Sequence, residues 1–227
     1  YNPKTARFYD DLGILSSEPE LGEDLSRLFN ELSGHSAKHD YSRILVAPHS
    51  LRKGLLSRIH RETKNHLEGK TAWIRLKLNS LLDEEITAAL YEAADAGVKI
   101  EIIVRGICAL QFSTQAQRDN IKVRSILGRF LEHSRIYYFK NDGAEEYYIG
   151  SADVMHRNLD RRVEALVRID AEKHKDRLRR ILDDSVSENY STWSLLDDNQ
   201  WQRKARDFDG NLLVNFQDHF VEKHNRA

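Results

Sequence analysis

Apolar positions recur along the chain in two alternating patterns, one typical of strands and the other of helices. Short apolar runs predict three strands, at residues 44–47, 73–78 and 98–104. Leucine and isoleucine recur at helical spacing in residues 51–67, and a second helical segment at residues 83–96 ends before Gly97. Strands that alternate with helices favour right-handed crossovers and a parallel sheet.

The pattern changes after residue 121. Apolar and polar residues alternate in four short segments with short connections, at residues 122–126, 135–140, 146–149 and 162–169. Asn141-Asp-Gly143 predicts a hairpin turn between two of these segments. Helical spacing returns at residues 171–190 and 212–224, with a loop region around Trp193 and Trp201. The predicted fold class is therefore α/β, a sandwich whose mixed, mostly parallel sheet is flanked by helices.

The first forty residues differ from the rest. An extended stretch is predicted at residues 5–16, and Ser17, followed by Glu18, Pro19 and Glu20, predicts a capped helix start. Five apolar residues at helical spacing then give this helix one apolar face: Leu21, Leu25, Leu28, Phe29 and Leu32. Residues 33–42 are polar and aperiodic, which predicts a linker. We expect residues 1–42 to be the trailing part of a preceding domain plus a linker, and residues 43–227 to form a C-terminal domain.

Composition narrows the possible classes of protein. The 227 residues carry 35 Lys and Arg against 36 Asp and Glu, a balance that argues against nucleic-acid binding through a basic surface. The single cysteine, Cys108, excludes an intramolecular disulfide framework and fits a reducing compartment. The sequence shows no apolar run of about 18 residues and no signal-peptide pattern, so we expect a cytoplasmic protein. Because the chain begins at Tyr1, we expect it to be part of a longer protein.

One histidine stands in a pattern suited to phosphoryl chemistry. His133 enters a predicted strand, and Arg135 follows two positions later on the same face. A hairpin then leads to Gly150-Ser-Ala-Asp153. This arrangement resembles half of the phospholipase D superfamily motif, His-x-Lys with a later Gly-Ser-x-Asn, with Arg and Asp in the places of Lys and Asn. In that superfamily the histidine acts on phosphoryl groups, and the neighbouring cation offsets the phosphate charge.

Five separated segments, in order, resemble the polyphosphate kinase family: Tyr1-Asn-Pro-Lys-Thr-Ala-Arg-Phe-Tyr-Asp-Asp11, Leu76-Lys-Leu-Asn79, Val104-Arg-Gly-Ile-Cys108, Leu131-Glu-His-Ser-Arg135 and Ser151-Ala-Asp-Val-Met-His-Arg-Asn158. The resemblance covers nearly the whole chain and about the C-terminal third of a typical family member. It implies a phospholipase D-like fold and a transferase that moves the terminal phosphoryl group of ATP reversibly onto inorganic polyphosphate. It also implies a phosphohistidine intermediate and Mg²⁺.

The resemblance assigns roles to three residues. Tyr9 is expected to contact the nucleotide, Arg105 to bind its phosphates, and His133 to be the second active-site histidine. Arg105 follows the strand predicted at residues 98–104, at the edge where open α/β sheets bind ligands, and its forked guanidinium suits phosphate oxygens. His133 is suited to donate a proton or to brace the phosphoryl group. Without the family context, a surface ion pair for Arg105 and a packed aromatic for Tyr9 remain the simpler interpretations.

Other residues rank lower. Asp10 and Asp11 invite a Mg²⁺ interpretation, but adjacent acids near a chain start are usually hydrated, so we predict no metal ligand in this chain. Glu164 is a candidate to orient a histidine. Three arginines are candidates for a polyphosphate path or for a solvated face: Arg157, Arg161 and Arg162. Neither a P-loop nor a Gly-x-Gly-x-x-Gly motif occurs, so the expected ATP site is of another kind.

The resemblance also implies what lies outside the chain and what binds it. Family members carry the phosphate-accepting histidine in an upstream His-x-Lys motif, so we expect both that histidine and the Mg²⁺ ligands in the upstream domains. The expected partners are ATP or ADP, polyphosphate, those upstream domains and further copies in a homo-oligomer, without nucleic acid. Peripheral membrane association stays open.

Two other functions remain as alternatives. One is a phospholipase D-like phosphodiesterase or nuclease, and the other is a non-catalytic module for anion binding or oligomerisation. Arg135 in the place of Lys, together with the Val-Arg-Gly segment at Arg105, favours the kinase over the phosphodiesterase.

Overall fold

A computed structural model describes residues 2–35 and 40–225. Its strands are β1 (Tyr9–Asp10), β2 (Ile44–Ala47), β3 (Trp73–Leu78), β4 (Lys99–Val104), β5 (Ile121–Ser125), β6 (Leu131–Glu132), β7 (Ile136–Phe139), β8 (Glu146–Gly150), β9 (Glu164–Ile169), β10 (Tyr190–Leu195), β11 (Trp201–Lys204) and β12 (Val214–Asn215). Its helices are α1 (Pro19–Leu32), α2 (Leu51–Leu67), α3 (Glu84–Asp95), α4 (Gln115–Asn120), α5 (His156–Asp160), α6 (Glu172–Val186) and α7 (Phe216–Asn225). Residues 36–39 of the predicted linker lie outside the described residues.

A mixed sheet organises the fold, in the strand order β11-β10-β5-β4-β3-β7-β8-β9-β2, and β12 pairs with β10 beside this path. The predicted α/β class with a mixed sheet and flanking helices is confirmed. The expectation that the sheet is mostly parallel is wrong. Only β3, β4 and β5 are mutually parallel along the described path, and all the other neighbours on it are antiparallel. For β7 and β8 the reason is local, because a turn as short as Asn141–Gly143 joins only antiparallel strands.

Two apolar clusters cover the two faces of the sheet. Successive side chains of β4 point to opposite faces, so Ile102 packs with α2 and α3 whereas Ile103 packs with α6. Both residues are almost completely buried, with exposures of 0% and 3%. The strands between the helices are therefore buried on both faces. Strand β4 forms a near-continuous apolar run in the sequence, whereas β3 carries buried Arg75 and Lys77 on one face.

The elements around β3 and β4 follow local sequence signals. Asp83 caps α3 by accepting a hydrogen bond from the Ile86 amide at 3.0 Å. Gly97 follows the helix with a φ of +106°, a backbone conformation that favours glycine. The predicted cap of α1 is wrong, because that helix begins at Pro19, with Glu18 rather than Ser17 at the cap position. Proline fits the first helical position, because it has no N–H and an N–H there would find no carbonyl acceptor within the helix.

The C-terminal part departs furthest from the prediction. The helix predicted at residues 171–190 ends at Val186, and the supposed loop tryptophans, Trp193 and Trp201, lie in strands β10 and β11. The last helix begins at Phe216, four residues later than predicted, after the short strand β12. Pairing with β5 extends the sheet here, so tertiary contacts rather than the local pattern determine the strands.

Helix α1 is joined to the sheet through one buried carboxylate. Asp24 is fully buried and accepts hydrogen bonds from the backbone amides of Ser42, Arg43 and Ile44, at 2.9, 2.6 and 3.3 Å. The N-terminal helix therefore contacts the chain just before β2. Among the helices that the structure describes, none has the length and apolar character needed to cross a bilayer.

Candidate active site

The N-terminal segment and β6 together form the framework of the site. Strand β1 pairs in parallel with β6, so that Tyr9 lies opposite Leu131. The Leu131 amide donates to the Phe8 carbonyl at 2.6 Å, and the His133 amide donates to the Asp10 carbonyl at 2.8 Å. Residues more than 120 positions apart are thereby held side by side. Because His133 directly follows β6, the pairing of that strand with β1 determines where His133 lies.

His133 has two contacts from the N-terminal segment. Its Nδ1 lies 2.7 Å from a carboxylate oxygen of Asp11. Its ring stacks on Tyr9, with centroids 4.8 Å apart and planes inclined by 15°. A hydrogen bond from Nδ1–H to the carboxylate fixes the tautomer and leaves Nε2 for chemistry. The side chain of His133 is 27% exposed, so a ligand can reach it.

Asp11 is the functional candidate that the sequence prediction missed. We expected a hydrated acid, but the carboxylate contacts the imidazole. In extended backbone Tyr9 and Asp11 lie on one face and Phe8 on the other, but the segment is too short for this alternation to identify Asp11 from the sequence. Phe8 is 64% exposed, in agreement with that alternation.

Arg135 lies beside His133, as the motif predicts. Its Nη1 is 3.2 Å from the imidazole Nε2 and donates to the His133 carbonyl at 2.9 Å. Its Nε and Nη2 donate to the two carboxylate oxygens of Asp153, at 3.3 and 3.1 Å. This two-point ion pair fixes the plane of the guanidinium. Asp153 is itself held by the Asn79 amide, which donates to it at 2.8 Å.

Arg105 stands at the carboxyl end of β4, where the sequence places it. Its Nε donates to the Asn79 side-chain oxygen at 2.8 Å and to the Glu132 carbonyl. Burial lowers the pKa of Arg105, the charge of Asp153 opposes this effect, and Arg135 adds to it. The guanidinium remains a cation at neutral pH.

Gly106 allows two loops of the site to approach closely. Its amide donates to the Asn79 carbonyl at 2.8 Å. A Cβ at this position would lie 2.6 Å from that carbonyl oxygen, which is backbone and has little room to move. The glycine after Arg105 therefore lets the β4 end pack against the β3 end.

A buried ion pair lies under these residues. Lys77 Nζ donates to a Glu132 carboxylate oxygen at 2.7 Å and to the Ser134 hydroxyl at 2.9 Å. The side chains of Lys77 and Glu132 are only 3% and 4% exposed. Lys77 comes from β3, and Glu132 immediately precedes His133, so the pair connects the central sheet to the loop that carries the histidine.

The lower-ranked candidates do not join this group. Glu164 accepts a hydrogen bond from Asn158 at 2.7 Å and lies 3.6 Å from Arg162, so its described partners are not histidines. Arg157 and Arg161 are exposed in and after α5. Of the two histidines in the predicted linker, His35 contacts the Ser33 hydroxyl at 3.1 Å and His39 lies outside the described residues.

The donor groups of the site do not fit a resident Mg²⁺. Asp11 is engaged by His133, and Asp153 is engaged by Arg135. Across residues 2–35 and 40–225, no three His, Cys, Asp or Glu side chains are grouped so that they could hold a metal ion. Among the described residues, the site therefore supplies cations and an imidazole. These groups suit phosphate oxygens rather than a divalent ion.

The groups around His133 differ in their accessibility. The side chain of His133 is 27% exposed, whereas that of Arg135 is 11% exposed. A cavity of about 600 Å³ lies beside α2, lined by residues such as Arg52, Lys53 and His60, and His133 is not among its lining residues. The imidazole is therefore the more accessible of the two groups.

Comparison with protein-family models gives two matches. Residues 44–215 match the model described as polyphosphate kinase C-terminal domain 2, and residues 1–38 match the model described as polyphosphate kinase C-terminal domain 1. The polyphosphate kinase of Streptomyces coelicolor is 51% identical over 226 residues, which cover 100% of this chain and 30% of that protein. The polyphosphate kinase of Mycobacterium avium is 46% identical over 224 residues, with coverages of 99% and 30%.

A solved structure shares the fold. The crystal structure of polyphosphate kinase from Porphyromonas gingivalis matches with a TM-score of 0.84 and 32% identity, covering 93% of this chain and 33% of that one. The chain thus spans about 30% of the length of the curated relatives that it matches. Because the first family model alone covers most of its residues, the chain belongs to the polyphosphate kinase family, whose C-terminal region it matches.

Proposed function

We propose that this chain is the C-terminal catalytic region of an enzyme that transfers the terminal phosphoryl group of ATP reversibly to inorganic polyphosphate. The observation that carries the proposal is the environment of His133. Asp11 lies 2.7 Å from Nδ1 and Arg135 lies 3.2 Å from Nε2, so the imidazole is oriented with its second nitrogen beside a cation. A phosphoryl group held beside that nitrogen, with no bond to it, meets both a proton donor and a positive charge.

Three residues receive distinct roles in the proposal. Arg105 binds phosphate oxygens of the nucleotide, because its charge persists at the end of β4 beside Arg135. Tyr9 contacts the nucleotide from the β1 side, next to the ring of His133 on which it stacks. His133, when protonated at Nε2, donates to an oxygen of the phosphoryl group in transit while Asp11 stabilises the imidazolium. His133 itself is not phosphorylated in this scheme.

The acceptor of the phosphoryl group is a histidine in the upstream part of the same polypeptide. In the proposal, residues 1–42 are the trailing part of a preceding phospholipase D-like catalytic domain with its linker, and residues 43–227 are the C-terminal one. Mg²⁺ acts with ATP through ligands outside this chain. The proposal also includes assembly with further copies into a homo-oligomer, and a cytoplasmic location. The single thiol, that of Cys108, suits a reducing compartment.

Activity of the full-length enzyme tests the reaction. Purified protein is incubated with ATP labelled in its terminal phosphate, and in parallel with a phosphodiester substrate. The proposal predicts labelled polyphosphate and no diester hydrolysis. Hydrolysis of the diester without polyphosphate synthesis would support the phosphodiesterase alternative instead.

The isolated 227-residue chain tests the location of the acceptor. A phosphohistidine is stable to base, so the chain is incubated with terminally labelled ATP and the base-stable label on the protein is measured. The proposal predicts no label on this chain and a label on the full-length enzyme. A base-stable label on the isolated chain contradicts an upstream acceptor.

A further inference from the structure

The segment before His133 is held from the C-terminal side by one buried amide. Gln217 Oε1 accepts from the Phe130 backbone amide at 2.7 Å, and its Nε2 donates to the Phe130 carbonyl at 2.8 Å. The same Nε2 donates to a carboxylate oxygen of Glu132 at 2.7 Å. Gln217 is only 2% exposed, and its bond to Glu132 is buried, whereas its two bonds to Phe130 are partly buried. Its partners assign the amide orientation, because a flipped amide would place like groups against each other.

The position of Gln217 is itself well defined. It lies in the first turn of α7, where its own amide donates to the Asn215 side chain at 2.8 Å, and the preceding residue, Phe216, is 1% exposed. Its side-chain oxygen lies 2.5 Å from the point that a Cβ on Gly128 would occupy. The loop before β6 thus packs closely on this amide, and any larger residue at position 128 would displace it.

Glu132 connects Gln217 to the catalytic groups. One carboxylate oxygen of Glu132 accepts from Gln217, and the other accepts from Lys77 at 2.7 Å. The carbonyl of the same residue accepts from Arg105, and the next residue is His133. A shift of Glu132 therefore moves the anchor of one phosphate-binding cation and the backbone of the histidine together.

We propose that Gln217 is a positioning residue, which fixes the β6 segment so that His133 meets Asp11 and Arg105 keeps its place. The inference rests on the proposed function of His133. Gln217 lies beyond residues 44–215, the range that the family model covers, and it touches none of the groups expected to bind the nucleotide. Its effect on the reaction passes through Glu132 and the backbone of Phe130.

Another buried glutamine provides a matched control. Gln117 is 3% exposed, and its side-chain oxygen accepts from the Ser113 amide at 3.0 Å while its Nε2 donates to Asp95 at 3.0 Å. It caps α4 rather than the segment that carries His133. Replacing either glutamine by leucine removes a comparable set of buried hydrogen bonds, but only one of the two replacements disturbs the site.

The test uses the full-length enzyme with Gln217→Leu, Gln217→Glu, Gln117→Leu and His133→Ala. Gln217→Glu retains the size of the side chain and the bond from the Phe130 amide. This variant therefore still tests the positioning role if the leucine variant folds poorly. We expect both Gln217 variants to lower kcat roughly 10- to 100-fold, because a small displacement of a catalytic group has an effect of that size. Hydrogen exchange should quicken in residues 128–135, where the Leu131 and His133 amides bond to the N-terminal segment. Gln117→Leu should change neither quantity.

The outcomes separate this inference from the proposed function. If His133→Ala abolishes synthesis while both Gln217 variants keep native kcat and native exchange in residues 128–135, the positioning role is wrong and the function of His133 stands. If kcat falls equally in Gln217→Leu and Gln117→Leu, the effect is general destabilisation and the positioning role is again wrong. If His133→Ala retains native activity, the proposed function itself fails.

Discussion

At the scale of single residues, the proposed chemistry of His133 depends most on its contact with Asp11. The carboxylate accepts from Nδ1 at 2.7 Å and so determines which nitrogen faces a ligand. Asp11→Asn retains the size of the side chain but removes its charge, and an amide can hold the imidazole in the wrong tautomer. In a serine protease triad the same change costs about 10⁴ in kcat, so we expect a loss of at least about 100-fold here.

Steady-state polyphosphate synthesis by the full-length enzyme measures this loss. Asp209→Asn is the control, because Asp209 lies exposed in a surface turn far along the sequence from the site. Native kcat in Asp11→Asn would show that the carboxylate does not orient the histidine.

The ion pair of Lys77 and Glu132 gives a second prediction at this scale. The pair is almost fully buried, so Lys77→Met leaves a carboxylate without its cation in the interior. We expect the free energy of unfolding to fall by about 3–5 kcal/mol, measured by denaturant titration. Lys70→Met serves as the control, since Lys70 is 47% exposed and pairs with Glu68 at the surface, where such pairs contribute about 0–1 kcal/mol. Equal losses in the two variants would contradict a special role for the buried pair.

At the scale of elements, the sequence best predicts those strands and helices whose own residues show a recognisable apolar pattern. Strand β3 and helix α2 were predicted at their observed bounds, because apolar residues alternate with Arg and Lys along β3 and recur at helical spacing along α2. Strands β10 and β11 were not predicted, since Trp193 and Trp201 stand in polar segments that become strands only by pairing with β5 and with each other. Propensity for strands depends on such neighbours.

The same reasoning explains which part of the site was predicted. Arg105 lies at the end of β4 and His133 directly after β6, so the structure places both beside strands, and their roles stay predictions. Asp11 and Gln217 were not recognised as parts of the site, because their partners lie far away in sequence. Asp11 reaches His133 only through the pairing of β1 with β6, and each of those strands is two residues long. A two-residue strand leaves no periodic signal.

The connection between α6 and the β7–β8 hairpin gives a prediction about pH. Glu145 accepts from Lys140 at 2.8 Å, from Arg179 at 2.7 Å and from the Tyr138 hydroxyl at 3.0 Å. Burial alone would raise the pKa of Glu145, but these three donors lower it from 4.5 to about 2. Since the pKa is lower in the folded state, the stabilisation is complete above about pH 4.5 and is lost as the pH falls towards 2.

Thermal unfolding between pH 6 and pH 3 checks this prediction. The unfolding temperature of the native protein should fall further over that interval than that of Glu145→Gln, because the variant has no carboxylate to protonate at this position. Exposed Glu172, which pairs with Lys175 at the surface, supplies the control variant Glu172→Gln. An identical pH dependence in the native protein and in Glu145→Gln would contradict the assignment.

At the scale of the whole molecule, a nearly neutral chain concentrates its relevant cations at one place. The formal net charge is -1, yet Arg105 and Arg135 lie together beside His133. Asp153 holds one of these arginines and Asp11 holds the histidine, so the acids of the site orient the groups that face a phosphate. The overall charge therefore says little about binding a polyanion, whereas the local arrangement favours it.

The chain also spans only about 30% of the length of the relatives it matches, and the side chain of His133 is 27% exposed. These two observations agree with the proposal, in which groups from elsewhere in the protein complete the site. In the proposal, His133 acts on a phosphoryl group that another histidine receives.

The proposed role of His133 is best tested by ATP-dependent polyphosphate synthesis in the full-length enzyme with His133→Ala, compared with the native protein. Thermal unfolding of both proteins confirms that the variant is folded. The folded variant should make no detectable polyphosphate, because the group that donates to the phosphoryl oxygen is missing. Synthesis at the native rate by folded His133→Ala would overturn this role.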